Sequence, residues 1–348
     1  MRKIKVLVVD DSLIFRELLA QNLGKDPAIE VVATARDAYE ARDLIIKHKP
    51  DVMTLDIEMP KMDGLEFLRK LLPQYPLPVV MISSLSDKVF EALKAGAVDF
   101  VAKPSMTDRQ KIAEFIKNDL PVKIKIASIA KISNIKRTVA SDGAVKDWKA
   151  TGVKAEDLVI AIGASTGGTE AIFSVVKEFD TDIPGIVIVQ HMPEGFTKMY
   201  ADRLNNNCRV SVKEAKTGDV VRPGQVLLAP GGESHMRLVK VNGVYQVELR
   251  RGEKVSGHRP SVDVLFESVA KTAGPNALGI ILTGMGADGS KGLLSMKEAG
   301  AVTIGQDEST CVVYGMPKVA YDIGAVVYQE KLQDIPARTC SLINKIRQ

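Results

Sequence analysis

Ser165 stands between an apolar run and a pair of glycines in Ile160-Ala161-Ile162-Gly163-Ala164-Ser165-Thr166-Gly167-Gly168. Small residues there allow a tight strand-to-helix turn that exposes a hydroxyl, and the N–H groups opening the helix can hold an oxyanion. The stretch fits Gly-x-Ser-x-Gly, a pattern that presents a nucleophilic serine. Glycine-rich turns of this kind also bind phosphates and dinucleotides. Against a dinucleotide, the spacing is not Gly-x-Gly-x-x-Gly, and the next strand ends in Gln190-His191 instead of an acidic residue for a ribose. A serine nucleophile needs a base, and the base needs an orienter. Of the four histidines, His48 lies on a polar helix end in the first part of the chain, where solvent exposure is expected. His191 ends the strand after Ser165, and a neighbouring strand end brings it within reach. His235 and His258, each in a glycine-containing loop, are its rivals. For the acid, Asp288 follows an apolar strand in Thr283-Gly284-Met285-Gly286-Ala287-Asp288-Gly289. Its structural alternative is to cap a helix beginning near Ser290. Asp263 is the second candidate, inside a helical pattern. The preferred set is Ser165, His191 and Asp288. Its chain order differs from the Ser, Asp, His order of α/β-hydrolases, so it rests on geometry and not on that family.

A second set of reactive residues lies near the N-terminus. Asp10 and Asp11 follow one apolar run, Asp56 ends another, and Lys103 follows Phe100-Val101-Ala102. Clustered carboxylates repel one another unless a cation sits among them, and Mg²⁺ takes oxygen ligands of this kind. Asp56 can then act as nucleophile toward a phosphoryl donor, giving an aspartyl phosphate whose charge Lys103 offsets. Ser83, at another strand end, offers a hydroxyl that could follow the phosphate inward, and Phe100 is an aromatic partner for that switch.

The elements that position these groups are those of two α/β folds. In residues 1–120, strands are expected at Lys5–Val9, Ile29–Thr34, Asp51–Leu55, Pro78–Ile82 and Phe100–Ala102, with helical patterns between them such as Leu13–Leu23 and Ala38–Lys47. That rhythm implies a doubly wound parallel sheet, flavodoxin-like, with its ligands at the carboxyl ends of the strands. Residues 121–155 hold eight Lys or Arg against two Asp with little apolar periodicity, and are expected to be a solvated basic linker. Residues 156–348 form a second, Rossmann-like doubly wound sheet. Its strands are expected at Leu158–Ile162, Gly185–Val189, Val226–Leu228, Ala277–Leu282 and Ala301–Ile304, with an antiparallel β-hairpin insert across Met236–Arg250 centred on Asn242-Gly243. Helices are expected at Thr169–Glu178, Phe196–Leu204, Val262–Thr272 and Lys291–Glu298.

Composition narrows the alternatives. At 348 residues the chain suits two cores, and its net charge of +4 gives no reason to invoke nucleic acid. Cys208, Cys311 and Cys340 form neither zinc spacing nor a disulfide framework and are expected to be reduced thiols in a cytoplasm. No run approaches the roughly 18 apolar residues of a membrane span, so no membrane insertion is expected. A DNA-binding output would need a helix-turn-helix near the C-terminus, where residues 325–348 hold one mixed-charge helical pattern, Ile335–Ile346. A phosphorylation-switched binding module without hydrolysis remains the alternative to an enzyme.

Asp-Asp-Ser, Asp-Ile-Glu-Met-Pro-x-Met-Asp-Gly-Leu, Ser-Ser and Phe-Val-x-Lys-Pro occur in order across the first third, which resembles the receiver domain of bacterial response regulators. That resemblance implies phosphorylation at Asp56 and Mg²⁺ binding by Asp10, Asp11, Asp56 and the carbonyl of Glu58. The second half carries Gly-Ala-Ser-Thr-Gly-Gly, Val-Gln-His-Met-Pro, Ala-Pro-Gly-Gly-x-x-His-Met, Ser-Gly-His-Arg-Pro-Ser-Val-Asp and Leu-Thr-Gly-Met-Gly-x-Asp-Gly. With these, the whole chain resembles the CheB family of chemotaxis-response methylesterases. The family implies a Ser165, His191, Asp288 triad, an oxyanion region at Thr166 and Met285, and no cofactor in the catalytic domain. It implies γ-glutamyl methyl esters of chemoreceptors as substrate, deamidation of receptor glutamines, and a chemotaxis histidine kinase as phosphoryl donor. The unphosphorylated receiver is expected to cover the catalytic cleft.

Overall fold

The computed structural model describes residues 2–84, 88–105, 107–134 and 155–346. The chain divides into two compact units, Met1–Lys136 and Arg137–Gln348.

The first unit is a five-stranded parallel sheet in the order β2-β1-β3-β4-β5. Its strands are β1 (Ile4–Val9), β2 (Ile29–Ala35), β3 (Val52–Asp56), β4 (Val79–Ser83) and β5 (Asp99–Ala102). Val6 to Val9 and Val79 to Ile82 are wholly buried, as expected for strands covered by helices on both faces. The first three helix starts are written in side-chain caps: Ser12 for α1 (Leu13–Leu23), Asp37 for α2 (Ala38–His48) and Asp63 for α3 (Gly64–Leu71). After α4 (Lys88–Ala95), α5 (Arg109–Glu114) runs through a π-helical turn (Phe115–Asp119) into α6 (Leu120–Ser128).

Helix α6 takes the first residues of the segment expected to be a linker. Leu120, Ile124 and Ala127 recur at helical spacing and are fully buried. Two of the eight basic residues that suggested a solvated tether are paired instead, Lys123 with Asp99 and Lys125 with Asp26, each at 2.6 Å. Residues 135–154, the greater part of that segment, lie outside the described residues.

The second unit holds seven parallel strands in the order β14-β13-β12-β6-β7-β9-β8. They are β6 (Val159–Ala164), β7 (Gly185–Gln190), β8 (Ser211–Glu214), β9 (Gln225–Leu228), β12 (Ala277–Ile281), β13 (Val302–Gln306) and β14 (Tyr328–Glu330). Strand order reverses at β6, which pairs with β7 on one side and β12 on the other, and ligands of open α/β sheets bind at such a switch point. The edge strands β8 and β14 escape sequence reading because they are short and partly exposed. The hairpin forms a separate two-stranded sheet, β10 (Ser234–Val241) with β11 (Val244–Arg251), turning through Asn242 (φ 50) and Gly243 (φ 84). It is tied to α9 (Val262–Ala273): Leu238 N donates to Ser268 Oγ at 2.8 Å, and Thr272 Oγ1 to Leu238 O at 3.1 Å. Before α9 come α7 (Gly168–Val176) and α8 (Phe196–Asn207), and after it α10 (Ser290–Glu298), α11 (Met316–Asp322) and α12 (Ile335–Ile346). Among the described residues no helix is long and apolar enough to cross a membrane.

Candidate active site

Register alone brings the first two residues of the preferred set together. Ala164 at the end of β6 pairs with Gln190 at the end of β7, so the next residue on each strand is Ser165 and His191. His191 N donates to Ala164 O at 3.2 Å, and Ser165 N donates across to Thr283 O at 3.0 Å, beyond the end of β12. The chain then turns sharply, with Gly167 at φ 77 and Gly168 N donating to Ser165 O at 2.7 Å. Gly284 allows the other flank to close in, since a Cβ there would stand 2.7 Å from Ser165 Cβ and 2.4 Å from Met316 Sδ. Gln190 matters more than its use as a negative sign for ribose suggested. Its Nε2 donates to the carbonyls of Ser165 at 2.9 Å and His191 at 3.3 Å, tying the two backbones together.

The acid arrives from the far side of the switch point. Asp288 Oδ2 lies 2.8 Å from His191 Nε2. Three donors at the start of α9 hold the same carboxylate. Ser261 Oγ and Asp263 N bond to Oδ1 at 2.7 and 3.1 Å, and Val262 N bonds to Oδ2 at 2.7 Å. An anion at a helix N-terminus with this many donors is well stabilised. Burial works against the charge, but the bonds from His191, Ser261 and Val262 win and bring the Asp288 pKa down to about 2. Asp288 therefore does cap a helix, though not the one beginning at Ser290, whose cap residue is Gly289. With Nε2 directed at a carboxylate, His191 keeps Nδ1 as its second nitrogen. That atom is buried and has no hydrogen-bond partner among the described residues.

The rival histidines have other places. His235 is buried, its Nδ1 accepting from Ser261 N at 3.1 Å and its Nε2 lying 2.8 Å from Glu253 O, so the proton belongs on Nε2. His258 stacks on His191. His48 ends α2 and is half-buried, not fully exposed. Thr166 is buried next to Ser165 in the chain, and Met285 is exposed on the loop after Gly284.

Asp263, the alternative acid, serves from behind. Its Oδ1 accepts from Gly292 N at 2.8 Å and its Oδ2 from Ser256 Oγ at 3.4 Å. Burial, together with the Asp288 charge, pushes its pKa up to about 6 despite the Gly292 N–H. Between pH 3.8 and about 6 the folded state holds a proton that the unfolded state has lost, so this carboxylate's contribution to stability falls as pH rises through that window. Asp263→Asn keeps the acceptor and removes the charge. Its melting temperature relative to wild type is expected to be a few degrees more favourable at pH 7.5 than at pH 4.5; an equal difference at both would contradict the assignment.

In the first unit, β1, β3 and β5 end side by side. Oxygens of Asp10, Asp11 and Asp56 lie within 4.8 Å of one another. Lys103 Nζ reaches between two of them, 2.7 Å from Asp10 and 2.5 Å from Asp56. Burial outweighs this lysine's help at Asp10 and, with the Asp56 charge, raises its pKa to about 6. Two buried aspartates and one exposed aspartate converging on one point are oxygen donors of the kind a hard divalent cation takes. Glu58 N donates to Asp56 Oδ1 at 3.2 Å, which places the Glu58 peptide at the same rim. Ser83 is buried at the end of β4, its hydroxyl donating to Ser84 O at 2.8 Å, and Phe100 is buried on β5.

Residues 160–339 match the family model of the CheB methylesterase, and residues 6–117 match that of the response regulator receiver domain. The chain is 60% identical over 348 residues to a protein-glutamate methylesterase/protein-glutamine glutaminase 2 from Syntrophomonas wolfei, with 99% of each chain covered. It is 51% identical over 352 residues to a protein-glutamate methylesterase/protein-glutamine glutaminase from Syntrophotalea carbinolica, again with 99% of each covered. The crystal structure of the Thermotoga maritima CheB methylesterase catalytic domain aligns with a TM-score of 0.52 at 38% identity, covering 53% of this chain and 98% of that one.

Proposed function

The chain belongs to the CheB methylesterase family and carries a response regulator receiver domain, and from that premise we propose that Ser165, His191 and Asp288 hydrolyse glutamyl methyl esters of chemoreceptors under the control of Asp56. The observation that carries the reading is the His191 Nε2–Asp288 bond of 2.8 Å, which leaves a buried, unpartnered Nδ1 one strand over from Ser165.

Ser165 Oγ attacks the γ-carbonyl carbon while its proton passes to His191 Nδ1. The imidazolium is held by Asp288, which stays ionised throughout. Collapse of the tetrahedral intermediate expels methanol, which takes the proton from Nδ1 and leaves a serine ester. Water then gives a proton to Nδ1 and attacks that ester, releasing the γ-carboxylate and restoring the Ser165 hydroxyl. The same attack on a glutamine side chain expels ammonia, the glutaminase activity in the relatives' names. Peptide N–H groups at Thr166 and Met285 are assigned to the oxyanion.

Asp56 is assigned as the phosphoryl acceptor, with a chemotaxis histidine kinase as donor. Mg²⁺, held by Asp10, Asp11, Asp56 and the Glu58 carbonyl, would supply charge neutralisation for the incoming phosphoryl group. Lys103 then offsets the charge of the product, and Ser83 and Phe100 form the switch. The chain works in the cytoplasm, where receptor helices and kinase are both accessible. A coupling of roughly 1–3 kcal/mol between phosphorylation and catalysis is the usual scale of such linkage.

The test is methanol release from receptor membranes bearing methyl-labelled glutamates, with and without a small-molecule phosphodonor. Wild type is expected to rise roughly 5- to 150-fold with donor, and Asp56→Ala not at all. No release from wild type under either condition would favour a switched binding module, and an unchanged response in Asp56→Ala would remove the acceptor assignment.

A further inference from the structure

The imidazoles of His191 and His258 lie face to face, with ring centroids 3.7 Å apart and planes within 9° of parallel. We infer that His258 is a positioning residue for the base, its ring fixing the plane in which His191 joins Ser165 to Asp288. This rests on the reading of His191 as the base.

A single bond to Asp288 leaves His191 free to tilt about the line through Nε2. Tilting moves Nδ1 out of reach of Ser165 without breaking the carboxylate bond. A flat partner against one ring face removes that freedom, yet permits the small in-plane slide that a base makes between nucleophile and leaving group. Aromatic faces in contact attract enough to hold such an arrangement, provided the partner itself cannot move.

The structure immobilises the partner. His258 leaves a turn closed by reciprocal backbone bonds, Val255 N to His258 O at 3.0 Å and His258 N to Val255 O at 2.9 Å. The two residues inside the turn, Ser256 and Gly257, both have positive φ (53 and 82). Next to it, Arg259 clamps the loop, Nε donating to Gly232 O at 2.8 Å and Nη1 to Gly252 O at 2.7 Å. Buried His235 joins the loop's two ends through Glu253 O and Ser261 N. A tight turn, an arginine clamp and a buried histidine strut together support one ring whose face is applied to the base. Three of the chain's four histidines are therefore one assembly.

The experiment measures kcat and KM for methanol release by the full chain with phosphodonor, in wild type, His258→Ala, His258→Phe and Ser165→Ala. A misplacement of the base costs about 10- to 100-fold. His258→Ala is expected to lose that much kcat with KM within about twofold, and His258→Phe, which keeps a flat aromatic face, to recover most of it. The ring protons of His191 are expected to shift downfield in the histidine NMR spectrum of His258→Ala, as the shielding of the stacked ring is lost. Should His258→Ala not fold, His258→Gln, polar but without an aromatic face, takes its place. Wild-type kcat in the folded Ala or Gln variant, or a Phe variant as slow as it, overturns the inference. Activity surviving in Ser165→Ala would instead overturn the triad reading, so the two failures are distinguishable.

Discussion

Ser165→Ala is expected to lower kcat for methanol release by on the order of 10⁴- to 10⁶-fold, the cost of deleting the nucleophile from a working triad. The loss should fall on kcat and spare KM, because the hydroxyl forms its covalent bond only after the substrate is bound. Little else in the fold depends on the side chain. Ser165 is held through its main chain, by N–H to Thr283 O and by its carbonyl to Gly168 N and Gln190 Nε2. The variant should therefore melt within about 1 °C of wild type, since the deleted oxygen takes part in none of these bonds. Single-turnover measurements on the same receptors would show no burst of methanol. A variant that retained more than a few per cent of wild-type rate would mean that Ser165 is a structural residue at a strand end and that hydrolysis proceeds by another route.

Asp288→Asn is expected to cost about 10³- to 10⁴-fold in kcat, as for other triads deprived of the charged orienter. Both carboxylate oxygens accept two bonds: Oδ1 from Ser261 Oγ and Asp263 N, Oδ2 from Val262 N and His191 Nε2. An amide NH₂ in either position turns an accepted bond into two opposed donors. If the amide oxygen takes the Oδ2 place, the buried Asp263 N–H is left without an acceptor; if it takes the Oδ1 place, the Val262 N–H is, and His191 meets a donor and must present the other tautomer. A lowered melting temperature should accompany the rate loss, since a buried unsatisfied donor costs about 1–3 kcal/mol. The pKa of about 2 gives the sign of the pH dependence. The stabilisation from the Asp288 charge is complete above the ordinary carboxylate value of 3.8 and is lost as pH falls toward 2. The wild-type excess in stability over Asp288→Asn should accordingly shrink in acid. A normal kcat would transfer the orienting role to Asp263.

The candidate site residues are more legible in the sequence than the scaffolding around them. Ser165, His191, Asp56 and Lys103 each end a strand of the buried parallel type, and an apolar run that stops at a polar residue announces itself. Asp288 also follows an apolar run, and the structure places it 2.8 Å from His191, but its other surroundings are not legible in the sequence. Its donors belong to residues 261–263, which are distant in the chain and become neighbours only when α9 packs behind the sheet. For the same reason Gln190 counted as a missing ribose ligand, and His258 as a competitor for the base. Spacing reveals which strand a residue ends, and pairing order decides what stands beside it. Helix α6 was obscured in another way. Its β-branched residues and Pro121 lower local helix propensity, and the lysine charges that suggested solvent meet Asp99 and Asp26 brought in from other elements.

The stretch from Gly252 to Asp263 presents the stacked ring, the clamp on its own loop and the three donors that hold the acid. His191 and Asp288 are thus both contacted by one short piece of chain, anchored at a buried histidine. Such a piece opens as a cooperative unit, with a free energy of its own below that of global unfolding. Its amides should exchange together, and inactivation by heat or mild denaturant should follow their exchange instead of the melting of the seven-stranded sheet. On the proposed triad reading, the first part of the site to open is then the loop behind His191, and tightening that loop is expected to extend the working temperature without touching Ser165, His191 or Asp288.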